Sequence, residues 1–184
     1  FLKLISLTQP NVDPVILSPN GGAPYYGASF SPDKHLIAFS DYDDNGIVQI
    51  YQMELDTMIK EQLTEFGPSY RNQRVWQVRY SPDGTMLAFS LSNEIGVITL
   101  PGGKITWMRF PEGDYHPMEY HEIWWNQVGD EIFALLFRPA EDSYDFKAVW
   151  FNARSGDISH SFPQIMDEQY LISVAFPVKN LDRI

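Results

Sequence analysis

Cysteine is absent from this 184-residue chain, which excludes disulfides and thiol chemistry and leaves the redox compartment open. No apolar run approaches twenty residues, so no segment reads as a membrane-spanning helix, and no membrane insertion is expected. No signal peptide is visible, although a mature chain or an excerpt would have lost one. Basic residues are scarce: 13 Lys and Arg stand against 24 Asp and Glu, for a net charge of −11. Phosphate binding needs basic clusters, so nucleic acid is not an expected partner. The surplus acid serves solubility, or offers an acidic face to a basic partner. Serines and four histidines are present, but no Gly-x-Ser-x-Gly elbow accompanies them. The chain does not read as a hydrolase by itself, and it presents no catalytic residue and no cofactor motif.

What is present is apolar mass and repetition. With 44% hydrophobic and 15% aromatic residues, the chain has ample material for one core. Ser31-Pro32-Asp33-Lys34 followed by His-Leu-Ile-Ala-Phe-Ser returns fifty positions later as Ser81-Pro82-Asp83-Gly84 followed by Thr-Met-Leu-Ala-Phe-Ser. Aligned on the aromatic before the turn, the units open at Phe30, Tyr80, Trp125 and Phe176. The third copy is degenerate, with Asn-Gln-Val-Gly-Asp at 126–130. Proline presets φ at the second turn position, Asp or Asn accepts local backbone bonds, and Gly84 can take the position with φ > 0.

Each unit supplies four apolar segments bounded by turn residues, and none carries a sustained helical period. The first unit predicts strands over 28–30, 36–39, 47–55 and 59–63. The second predicts 78–80, 86–89, 95–100 and 104–108, and the third 123–125, 132–137, 147–152 and 158–162. Four antiparallel strands per 45–51 residues is the arithmetic of a β-propeller blade. A β-sandwich with similar hairpins is the other architecture, but the turn phrase recurs at blade spacing rather than hairpin spacing. The fold class is therefore all-β: a propeller of about four blades, or a fragment of a larger one. As one domain, 1–184 divides into a partial blade over 1–22, blades over about 23–66, 67–111 and 112–165, and a partial blade over 166–184. The first-strand aromatics should pack between blades.

The Ser-Pro-Asp-Gly-x-x-x-Ala-Phe phrase resembles the blade repeat of the TolB-like, WD-repeat-like propellers. The resemblance runs from about Ala28 to Phe176 and is strict only in the first two units. It implies a non-catalytic scaffold that binds protein or peptide, in a periplasmic or cell-envelope setting. It also admits a second role, as the gating propeller of a prolyl-oligopeptidase-type serine peptidase whose catalytic domain lies outside this sequence. The partial units at the two ends fit either closure into a small four-bladed ring or an excerpt from a longer chain, and the excerpt is preferred.

Blade topology sorts the connections onto two sides, and the chemically richer loops fall together on one of them. Tyr25, Tyr26, Tyr70, Tyr115, Tyr120 and Tyr170 are brought toward that rim, with Arg71, Arg74, His116 and Glu119 among them. Tyrosine with arginine and histidine is the chemistry of an interface hot spot, while single rings there also serve to seal blade junctions. These ten residues form the expected partner-binding set. Asp41-Tyr42-Asp43-Asp44-Asn45-Gly46 matches the first half of a calcium loop, but Gln52 stands where a bidentate carboxylate is required. A tight hairpin turn is the better reading of Asn45-Gly46. His116, Glu119, His121 and Glu122 lack zincin spacing, and Pro117 argues against a helix there, so no metal is expected.

Overall fold

The computed structural model describes residues 3–5, 11–17, 27–117, 123–139 and 144–162. The repeated units form separate antiparallel sheets in chain order. The first sheet comprises β3 (Ala28–Phe30), β4 (Leu36–Tyr42), β5 (Val48–Glu54) and β6 (Lys60–Gln62). The second comprises β7 (Val75–Tyr80), β8 (Met86–Leu91), β9 (Glu94–Thr99) and β10 (Ile105–Trp107). In the third, β11 (His116–Pro117) and β12 (Trp124–Trp125) both pair with β13 (Glu131–Pro139), followed by β14 (Tyr144–Asn152) and β15 (Ile158–Ser161). Ahead of them, β1 (Lys3–Leu4) and β2 (Val15–Ile16) form an antiparallel pair. The expected fourth copy, Val174–Phe176, lies outside the described residues.

The sheets stack through alternate residues of their strands, as the period-2 pattern requires. Ala38, Val48 and Ile50 of the first sheet meet Val78, Leu87 and Phe89 of the second. Met86, Ala88 and Val97 on the second sheet's other face meet Ile123, Ile132 and Val149 of the third. Phe39, Tyr51 and Met53 turn the opposite way and pack with Leu17. The first strands of successive sheets are also linked by side chains. Ser29 Oγ accepts from Tyr80 N–H, Gln77 Oε1 accepts from Ile123 N–H, and the Trp125 indole donates to Arg79 C=O.

Small and large residues alternate in a fixed sense at the first two junctions. Ala38 and Ala88 face the following sheet, while Phe39 and Phe89 face back. The third sheet reverses this: Ala134 faces back to the second sheet, and Phe133 lies on the far side with Leu135 and Phe146. The first-strand aromatics divide likewise. Tyr80 is buried and Trp125 half-buried, but Phe30 is 51% exposed, contrary to the expectation that all would pack between blades. Tyr80 and Trp125 each pack toward a four-stranded sheet behind them. Phe30 has only the narrow β1–β2 pair on that side among the described strands.

The repeated turn is a small side-chain machine. Ser81 Oγ donates to Asp83 Oδ1 at 2.6 Å and accepts from Met86 N–H at 3.0 Å. Ser31 repeats both bonds with Asp33 and Leu36. In the third unit Asn126 Oδ1 takes over, accepting from Gly129 and Asp130 N–H, which explains how the degenerate phrase keeps its turn. Successive turns also touch. Gly84 (φ +73°) leaves room for Pro32, whose Cδ would lie 3.3 Å from a Cβ there, and Gly129 (φ +82°) does the same for Pro82 at 3.1 Å. Gln127 occupies the place of that proline in the third unit.

The Ser81 hydroxyl and the Thr85 N–H hold Asp83 below the usual carboxylate range, and Ser31 with the His35 N–H do so for Asp33. A folded-state pKa below the unfolded value means that the unfolded chain binds more protons in acid. The stabilisation is fully present above the ordinary carboxylate pKa and is lost as pH falls through the depressed one. Melting temperature should therefore decline below about pH 5. Asp83→Asn should flatten that decline, as read from thermal melts across an acid series; an unaltered slope would show that this turn does not contribute.

Candidate functional site

Two connections of each sheet, second strand to third and fourth strand to the next sheet, leave from the same end. Both open clefts described below are built from those connections. The first, of about 460 Å³, is lined by Asp43, Asn45, Gln49, Glu65, Phe66 and Arg71. Its floor is Gln49, which is 1% exposed. The Gln49 amide donates to Phe66 C=O at 3.0 Å and its Oε1 accepts from Phe66 N–H at 2.9 Å and from Thr64 Oγ1 at 2.8 Å. One buried amide thus clamps the start of the connection after β6, at Thr64 and Phe66, to β5. Asp43 forms one wall, and its carboxylate accepts from Asn45 N–H and Ile47 N–H at 2.9 Å. Those bonds, chiefly the one from Ile47, hold it below the usual carboxylate range. The acidic segment is thus a side-chain-capped turn. Arg71 is exposed opposite, with its main chain bridged to Ile47.

The second cleft, of about 680 Å³, is lined by Gly113, Asp114, His116, Arg138 and Pro139. Asp145, 6% exposed, anchors it. The β13–β14 register sets Asp145 opposite Arg138, and Arg138 Nε donates to Asp145 Oδ2 at 2.8 Å. The Tyr115 hydroxyl donates to the same oxygen at 2.5 Å. The Arg138 guanidinium lies 4.9 Å and the Lys147 ammonium 4.5 Å from the centre of the Tyr115 ring, both in cation–π range. Burial first, and the bond to Asp145 second, raise the Tyr115 phenol above its ordinary value.

The residues expected at the rim distribute as follows. Arg71 lines the first cleft. Arg74 is exposed over the Trp76 ring at 5.7 Å, with its N–H on Ser92 Oγ. Tyr70 ends a 3₁₀ turn, Pro68–Tyr70, and points inward; its ring is stacked on Trp107 at 6.4 Å and lies 4.9 Å from Phe66. Tyr115 is buried and His116 lines the second cleft, on a strand where a loop was expected, with its ring 6.4 Å from Phe137. Tyr25, Tyr26, Glu119, Tyr120 and Tyr170 lie outside the described residues. Sequence reasoning missed Arg138, Asp145 and Gln49. The first two fell between the strands expected over 132–137 and 147–152, whereas β13 runs on to Pro139 and β14 begins at Tyr144.

No protein-family model matches the sequence, and no curated protein matches it. Solved structures do. TolB from Acinetobacter baumannii is similar at TM-score 0.57 and 22% identity, over 85% of this chain and 36% of that one. A putative TolB from Agrobacterium tumefaciens is similar at TM-score 0.56 and 17% identity, over 85% of this chain and 55% of that one. An acylaminoacyl peptidase from Pyrococcus horikoshii is similar at TM-score 0.51 and 15% identity, over 79% of this chain and 25% of that one. This chain spans about half or less of the length of each. The shared feature is the fold: the antiparallel sheets of this chain are β-propeller blades.

Proposed function

We propose that these blades form a non-catalytic scaffold that binds protein or peptide on the end carrying the long connections. One observation carries this reading: the open clefts and the exposed Arg71 and Arg74 all belong to that end, while the repeated turns at the other end are closed by their own hydrogen bonds. Propellers with short turns on one side and longer, chemically varied loops on the other present a rigid recognition surface. The blade boundaries are read as 23–66, 67–111 and 112–165, with the residues before and after belonging to neighbouring blades. A role as the gating propeller of a serine peptidase is the second reading, favoured by the likeness to the acylaminoacyl peptidase.

The test is affinity capture from the native source, with the wild type beside an Arg71→Ala/Arg74→Ala/Tyr120→Ala variant. The variant should recover much less of the partner while melting at the same temperature. Equal recovery by the two would remove this end of the blades from consideration. Recovery of a hydrolase domain encoded in the same full-length product would favour the gating role instead.

A further inference from the structure

The geometry points to the second cleft as a carboxylate subsite, in which Arg138 receives the acidic group of a bound peptide. The inference rests on the peptide-binding reading above and assigns the chemistry of one pocket within it. Arg138 offers five N–H donors in a planar fork. Only its Nε is engaged among the described residues, by Asp145. No described residue accepts from the two terminal nitrogens, although Asp114 lines the same cleft. The fork is held from behind: Asp145 accepts from the Tyr115 hydroxyl, and the guanidinium lies over the Tyr115 ring. In front, Gly113 lets the loop pass close by, since a Cβ there would come within 2.7 Å of Arg138 Nη1. A pre-oriented guanidinium whose terminal nitrogens meet no acceptor among the described residues, in an open cleft, fits the two oxygens of a carboxylate. A lysine-like cation would meet it unfavourably.

The charge count sets the character of the site. Arg138 and Lys147 are offset by Asp145 behind them and Asp114 at the rim, and the chain as a whole is acidic. The cleft therefore recognises by contact geometry and not by long-range steering. His116 and Pro139 line it as well, and Pro139 gives an apolar neighbour for the residue that carries the carboxylate. Both a C-terminal carboxylate and an Asp or Glu side chain present this chemistry.

Three peptides tell the sources apart: N-acetyl-Gly-Gly-Phe with a free carboxylate, the same peptide as its amide, and an amidated N-acetyl-Gly-Glu-Phe. Binding is followed by ligand-observed NMR titration. The free acid should bind about tenfold or more tightly than its amide. Recovery of binding by the glutamyl peptide would assign the site to acidic side chains as well as chain ends. Arg138→Gln should erase the preference for acid over amide. Because that substitution removes the cation facing Asp145, Arg138→Gln/Asp145→Asn removes both charges together and should erase it too, with its fold checked by circular dichroism. Equal binding of acid and amide by the wild type, or a preference that survives in either folded variant, would overturn the assignment.

Discussion

Replacing Phe89 by alanine is expected to cost about 3–5 kcal/mol, read as a lower urea midpoint at unchanged slope. The ring is fully buried between the first two blades. It lies 5.8 Å from Phe66 and 5.4 Å, edge-on, from Trp107. The outer end of the ring lies against Gly96, directly opposite on β9. A Cβ on Gly96 would fall inside the contact distance of the ring, so the glycine is there to admit the phenylalanine. Gly96→Ala alone should cost about 1–3 kcal/mol through overpacking. Placed on Phe89→Ala, the same methyl enters space the ring has vacated, so its cost should vanish. Neighbouring residues are expected to be non-additive in this way. An identical penalty for Gly96→Ala in both backgrounds would mean that strand conformation, and not the ring, selects the glycine.

The second large effect concerns a buried charge. Asp41 is 0% exposed, and its Oδ2 meets Lys60 Nζ at 3.1 Å. The ammonium also sits 3.8 Å above the Tyr51 ring and 5.3 Å from that of Phe39. Lys60→Met keeps most of the stem that covers the rings and removes the charge. The Asp41 carboxylate is then left with the Tyr42 N–H at 3.0 Å and no cation. Breaking a buried pair from one side costs about 3–5 kcal/mol; with the Lys60 side chain 32% exposed, about 3 kcal/mol is expected. Asp41→Asn combined with Lys60→Met should recover most of this loss in chemical denaturation. Failure of the double variant to recover would place the cost in lost packing on Tyr51 and Phe39.

The blades were legible because their signals are local. Alternating apolar residues and a turn phrase with Pro, Asp and Gly give strand, turn and strand within ten residues of each other. The third unit stayed legible because Asn126 can do what Ser31 and Ser81 do. The site was less so. Tyr70 and Tyr115 carry the same letters as exposed rim tyrosines, yet each ring is turned inward. A tyrosine can seal a junction with its ring while its hydroxyl reaches a polar partner, and only packing shows which it does. Arg138 and Asp145 were hidden because both lie just beyond the strands expected over 132–137 and 147–152, whereas the paired strands run on to Pro139 and from Tyr144. Extending the register that pairs Ile132 with Phe151 leads to the Arg138–Asp145 pair, so a signal did exist. Gln49 had none: an amide on a strand gives no hint that it will hold a loop seventeen residues away.

The proline that each turn lends to the next, together with the reversal of Ala and Phe in the third blade, gives the array a fixed reading order. The first two blades carry compatible heads and tails. The third accepts Pro82 at Gly129 but offers Gln127 forward, and it turns Phe133 outward where its predecessors turn alanine. A permuted gene placing the third blade before the second would set Phe133 against Phe89 and leave Gly84 without its proline. These repeats share one pattern, but they are not interchangeable parts.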